Sequence, residues 1–267
     1  MAGLFVTFEG GDGAGKSTQV AALARSLEER GYRVIVTREP GGTNLGIQIR
    51  QLLLHGEDVA PRAEALLFAA DRAHHVATKI LPALETGAVV ISDRYFDSSV
   101  AYQGGARALD PNDVRDLSLW ATNGLLPDLT VLLDVPVIQS IERVGASPDR
   151  LESEGKEFHQ RVRDYFLQLA QAEPERFLLI NGRLPISEIA QRVLHEVEKR
   201  LGSATNECGN TANKHGDGAA CDAAARHESF MPEISSACFE KLCVGGAGES
   251  NSSESPLSSE PSPEVNT

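Results

Sequence analysis

The sequence predicts an α/β fold: a parallel sheet with helices on both faces, followed by a disordered C-terminal tail. Three observations carry this reading. Five short apolar, β-rich runs alternate with longer stretches of helical period, the rhythm of a parallel sheet whose crossovers are helices. The first run leads directly into a glycine-rich loop and then a helical stretch. After Leu201 the apolar period stops, and Ser, Gly, Asn, Glu and Ala take over, leaving too little apolar surface to offset the entropy of ordering.

Taken in order, the strands are Leu4 to Phe8, Val34 to Val36, Val89 to Ile91, Leu129 to Leu133 and Phe177 to Ile180. They are mostly unbroken apolar runs, as strands buried on both faces require. Helices are predicted over Ser17 to Arg30, Leu45 to Leu54, Ala63 to Glu85, Pro111 to Asn123, Val137 to Arg143, Phe158 to Ala172 and Ile186 to Leu201. Asp110-Pro111 makes a good helix start, since Asp can cap free N–H groups and Pro is tolerated in the first turn.

At 267 residues and 41% hydrophobic composition the chain can bury a sizeable core. We divide it into one domain over 1–201 and a tail over 202–267. The formal charge of −13 argues against binding a nucleic acid polymer, which needs a cationic surface to release counterions. The tail holds ten acidic and three basic residues, net −7, against 28 and 22 in the body, net −6. No run of about 18 apolar residues occurs, and the N-terminus enters a strand pattern at Leu4 without a basic region, so no membrane association and a cytoplasmic location are expected. All four cysteines, Cys208, Cys221, Cys238 and Cys243, fall in the tail; their unpaired spacing does not suggest a zinc cluster.

Gly10-Gly11-Asp12-Gly13-Ala14-Gly15-Lys16-Ser17 matches G-x-x-x-x-G-K-[ST] between a strand and a helix, the phosphate loop of the P-loop NTPase fold. Its glycines let backbone N–H groups face the phosphates of ATP, and the following helix N-terminus adds positive potential. Lys16 is expected on the β- and γ-phosphates and Ser17 on Mg²⁺. A GTPase would need N-K-x-D after a later strand, whereas the one Asn-Lys pair, Asn213-Lys214-His215-Gly216, lacks the Asp and lies in the tail.

The run Val89-Val90-Ile91 ends in Ser92-Asp93-Arg94-Tyr95, which sets a carboxylate and a guanidinium at the carboxyl edge of the sheet, where α/β proteins bind ligands. Asp93 can hold the Mg²⁺ shell, and Arg94 can bridge donor and acceptor phosphates. Asp134, closing the next strand, is a rival that we take as structural, because Val135-Pro136 and no basic residue follows it.

Ile91 to Tyr95 with Ser98 and Ala101-Tyr102-Gln103, Thr37-Arg38-Glu39-Pro40-Gly41-Gly42-Thr43, and Glu64 to Arg72 together resemble the signature blocks of thymidylate kinases in order and spacing. The resemblance covers roughly Gly3 to Leu201 and implies transfer of phosphate from ATP to dTMP by what is usually a homodimer. It implies that Arg38 holds the dTMP 5′-phosphate, Phe68 stacks on thymine and Arg72 bonds a base carbonyl. It further implies that Ser99 touches the ring, Tyr102 closes the space of a 2′-hydroxyl, Gln103 joins the dTMP site and Asp12 reaches the sugar 3′-hydroxyl. Independently of the family, an aromatic and an arginine four residues apart share one helix face, so Phe68 and Arg72 can cover the face and edge of one planar ring.

Some thymidylate kinases carry an arginine in the phosphate loop where this chain has Gly13. The catalytic cation is then expected from a lid near 145–155, shorter than in many relatives, with Arg150 in Asp149-Arg150-Leu151-Glu152 preferred over Arg143. The acceptor phosphate has a second pKa of about 6 and is already ionised at neutral pH, so no general base is needed. The alternatives are another nucleoside monophosphate kinase and a nucleotide-binding protein without turnover.

Overall fold

Each predicted strand forms, and each runs one or two residues further than its apolar pattern, to a polar residue. The strands are β1 Leu4–Glu9, β2 Val34–Arg38, β3 Val89–Asp93, β4 Leu129–Asp134 and β5 Phe177–Asn181. In this computed structural model residues 3–107, 109–143 and 149–212 are described, with side chains to 202. All pairings are parallel, in the order β2-β3-β1-β4-β5. β1 is central, with neighbours reached in opposite directions, so a crevice opens beyond its carboxyl end. The five terminal strand residues Glu9, Arg38, Asp93, Asp134 and Asn181 all stand at that edge.

The helices are α1 Lys16–Glu28, α2 Asn44–His55, α3 Pro61–His75, α4 Leu81–Glu85, α5 Phe96–Ser99, α6 Pro111–Ala121, α7 Val137–Ile141, α8 Lys156–Ala172 and α9 Ile186–Ala212. Two π-helical turns, Val76–Ile80 and Val100–Gly105, join α3 to α4 and extend α5. The first lies inside the single helix predicted over Ala63 to Glu85. The second, with α5, forms where no helix is predicted, although Phe96 and Val100 show the four-residue spacing of an inward helix face. Asp110 caps α6 as expected, accepting from Asn112 N–H at 2.8 Å.

The core is built on both sheet faces. Leu4, Val6 and Phe8 of β1 pack with Leu23 and Leu27 of α1 and Val193 and Val197 of α9. Phe5 points the other way, into Ile80, Tyr95, Phe96, Val162 and Phe166. A smaller cluster joins Ile49, Leu53 and Leu54 of α2 to Phe68 of α3 and Leu151. α9 continues eleven residues past Leu201, where the sequence placed the end of helix and domain. The expected disordered tail lies, from residue 213 onward, outside the described residues.

Candidate active site

The loop after β1 turns on glycine. Gly10 and Gly13 stand at φ 133° and 75°, in regions that residues with a Cβ rarely occupy. A Cβ on Gly10 would lie 2.5 Å from the Leu133 carbonyl oxygen, and one on Gly13 2.3 Å from that of Ser140. The missing in-loop arginine thus has a local cause, because this loop packs against α7 too closely for any side chain at position 13.

Lys16 opens α1 and is only 7% exposed. Its ammonium donates to the carbonyls of Gly10 at 3.1 Å and Gly11 at 2.8 Å. Burial, helped by the Arg94 charge, lowers its pKa to about 8. Ser17 Oγ donates to Asp93 Oδ2 at 2.8 Å. A hydroxyl and a carboxylate are hard oxygen donors, and two of them suit Mg²⁺, which keeps waters and takes further ligands from substrate phosphates. Among the described residues no group of three or more His, Cys, Asp or Glu could hold a metal alone. The rival Asp134 is engaged by Arg163 of α8 through two bonds of 2.6 and 2.9 Å, a basic partner remote in sequence and therefore invisible there.

Arg94 connects the two halves of the site. One guanidinium nitrogen donates to the Gly10 carbonyl at 3.0 Å and Ser98 Oγ at 2.9 Å, the other to Asp12 Oδ1 at 2.5 Å and Tyr102 Oη at 3.2 Å. Its Cζ lies 5.1 Å from the centre of the Tyr102 ring. Tyr102 Oη in turn donates to Asp12 Oδ2 at 2.7 Å. Burial opposes charge on Asp12, but the Arg94 and Lys16 cations outweigh it and hold the carboxyl well below the usual carboxylate range.

Across β3, Arg38 is exposed and stands in register with Asp93. Arg50 of α2, not singled out from the sequence, donates to the Pro40 carbonyl at 3.0 Å; burial and then the charge of Arg38 lower its pKa, so the two cations face a common space. Arg72 is 1% exposed, and its guanidinium donates to Glu39 Oε2 at 2.8 Å, Ser118 Oγ at 3.1 Å, the Tyr95 carbonyl at 3.4 Å and Ser99 Oγ at 3.0 Å. Among the described residues these bonds use four of the five N–H groups that an arginine has. Phe68 of α3 is buried against α2, beside Leu151. The shared helix face of Phe68 and Arg72 is therefore real, and it points inward.

Gln103 donates to Glu64 Oε1 at 2.9 Å. Glu64, in the first turn of α3 and 1% exposed, also takes Arg107 at 3.0 Å and Arg150. Two further bonds of Arg150 go to α2, its Nε donating to the Leu53 carbonyl at 2.9 Å and its backbone N–H to that of Leu54 at 3.1 Å. The structure thus gives the Arg150 guanidinium to Glu64, not to the phosphate loop. Arg143 adjoins that loop instead, since its Cβ would lie 3.2 Å from a Cβ on Gly13. Residues 145–148 of the expected lid lie outside the described residues.

A parallel sheet whose central strand delivers a phosphate loop, with the arginine just after β3 bonded to that loop's own backbone, defines a P-loop phosphotransferase. The model of the thymidylate kinase family matches residues 8–193. The thymidylate kinase of Clavibacter michiganensis subsp. michiganensis is 59% identical over 197 residues, 72% of this chain and 93% of that relative. That of Synechococcus sp. is 50% identical over 202 residues, 76% of this chain and 98% of its own. A crystal structure of thymidylate kinase from Ehrlichia chaffeensis superposes with a TM-score of 0.63 at 32% identity, covering 74% of this chain and all of the other. The chain belongs to the thymidylate kinase family.

Proposed function

We propose that this chain transfers the γ-phosphate of ATP to dTMP, giving dTDP. The observation that carries the reading is the bond from Arg94 to the Gly10 carbonyl, which ties a guanidinium on the acceptor side to the loop that cradles the donor. Phosphoryl transfer needs positioning and charge neutralisation more than covalent chemistry, and the residues divide that work. The N–H groups of Gly10 to Ser17 and the Lys16 ammonium hold the ATP phosphates. Arg94 lies between donor and acceptor phosphates, and Arg38, with Arg50 nearby, takes the dTMP 5′-phosphate. Phe68, Arg72, Ser99 and Gln103 form the thymine side, while Asp12 and Tyr102 sit at the sugar. Ser17 and Asp93 would hold Mg²⁺, which when bound neutralises charge on the β- and γ-oxygens.

For the cation on the transferring group, Arg150 would have to exchange Glu64 for phosphate. Arg143 begins beside Gly13 and needs no such exchange, so it has the prior claim over the residue preferred from sequence. We also propose a homodimer: α3 and α6 pack together and carry Leu66 and Trp120 at 57% and 79% exposure, apolar surface that a partner would cover. No helix among the described residues is long and apolar enough to cross a membrane, and we place the enzyme in the cytoplasm.

An acceptor panel with ATP and Mg²⁺ tests the function. The expected result is turnover of dTMP well above that of AMP, GMP, UMP or CMP. A different preferred acceptor would replace dTMP in this reading, and ATP binding without any transfer would overturn it.

A further inference from the structure

Arg94 has an unusual backbone for the residue assigned to bridge the phosphates. It stands at φ 71°, a left-handed conformation that is unfavourable for a residue with a β-carbon and persists only where the surroundings impose it. Three contacts impose it here. The Arg94 N–H donates to the Phe8 carbonyl at 3.0 Å. The peptide that follows is held at both ends, its carbonyl accepting from Ser92 Oγ at 2.7 Å and its N–H, that of Tyr95, donating to Glu9 Oε1 at 2.8 Å. The other oxygen of the same carboxylate, Glu9 Oε2, accepts from Ser98 Oγ at 2.5 Å, and Ser98 Oγ accepts from the Arg94 guanidinium at 2.9 Å.

We infer that Glu9, the fully buried last residue of β1, is the positioning residue of Arg94, fixing its backbone through Tyr95 N–H and its guanidinium through Ser98. This rests on the phosphate-bridging reading of Arg94. The relay has a direction. A hydroxyl has one proton, and Ser98 gives it to Glu9, so its lone pairs face Arg94. Only a group that accepts at both oxygens keeps that order; a glutamine amide would present N–H groups to Ser98 and compete with Arg94 for the same lone pairs.

The carboxylate is retained at a cost. Burial first, then the nearby Asp97 of α5, pushes the Glu9 carboxyl up to about 7, against the pull of Arg94, Ser98 and Tyr95 N–H. Lys16 of α1 also faces it, while Asp97 is itself held by Arg176 at 2.6 and 2.8 Å. A raised carboxyl pKa makes the native state bind the extra proton between about 4.5 and about 7. The stability associated with that proton is present at low pH and is lost as pH rises through about 7.

A neutral isostere therefore separates positioning from folding. With both nucleotides saturating, Glu9→Gln is expected to lower kcat about tenfold or more and to leave KM for ATP within about twofold. Its Tm at pH 8 should be no lower than the parent's, and an ionisation near pH 7 in the parent's kcat profile should be missing. Ser98→Ala, which cuts the relay while leaving Glu9 in place, should reproduce the kcat loss, and the double variant should be no worse than the more impaired single one. Parent-like kcat and pH profile in Glu9→Gln would overturn the inference, as would additive losses in the double variant. So would a kcat loss in Glu9→Gln that only tracks a fallen Tm, with Ser98→Ala fully active. Arg94→Ala is the separate control: full activity there removes the bridging role itself, whereas an inactive Arg94→Ala beside an active Glu9→Gln removes only the inference about Glu9.

Discussion

Lys16 is where burial and chemistry meet most directly. Held on the Gly10 and Gly11 carbonyls, it is the one cation within the loop, so Lys16→Ala is expected to reduce kcat by at least about 10³. Near-normal turnover would remove the phosphate-loop assignment. Because its free-enzyme pKa is lowered to about 8, the charge that binds phosphate is present below that pH and lost above it. kcat/KM for ATP should accordingly decline on the alkaline side with an apparent pKa near 8, readable from a pH–rate profile. Arg38 differs in kind: exposed and on another strand, it is expected to serve the acceptor only. Arg38→Ala should raise KM for dTMP about tenfold or more and leave ATP binding by titration within about twofold; equal weakening of both would show that the two phosphate sites are not separate.

At the scale of elements, the contact between the phosphate loop and α7 decides which side chains can take part. Gly13→Ala would place a Cβ at φ 75° and 2.3 Å from the Ser140 carbonyl oxygen, so α7 or the loop must move. We expect a loss of about 1–3 kcal/mol by denaturant unfolding together with weaker ATP binding; unchanged values for both would mean that the loop relaxes freely. The same packing brings Arg143 beside the loop, while Arg150 is bound to Glu64 across α2 and α3. Arg143→Ala is expected to lower kcat about 10³-fold with little change in KM for dTMP, as for an interaction made mainly in the transition state. Arg150→Ala should act more weakly on kcat, through the anchoring of its segment to α3. Steady-state kinetics of the two variants side by side decide it, and the larger kcat loss in Arg150→Ala would return the role to that residue.

For the whole molecule, Leu201 is the last α9 residue, among those whose side chains are described, that packs against the Leu4, Val6 and Phe8 side of the sheet, and the helix itself runs to Ala212. A chain ending at Leu201 is expected to keep kcat and to melt within about 2 °C of the full chain, since what is removed has little apolar surface to contribute. A large loss of activity or stability would mean that residues beyond 201 complete the site or the core.

The sequence by itself determined what depends on neighbours along the chain. The strand and helix rhythm, the phosphate loop and the Asp93-Arg94 pair at the end of β3 are all local patterns, legible because apolar period and turn chemistry are set within a few residues. Tertiary structure decided what depends on pairs far apart. Glu9 reads as an ordinary strand end until Tyr95 and Ser98, more than eighty residues later, fold over it. Asp134 looked unpaired until α8 brought Arg163, and Arg150 looked free until Glu64 took it. In each case the deciding partner is chosen by which strands lie side by side and which helix covers them, and a buried charge must find its partner wherever the packing puts it.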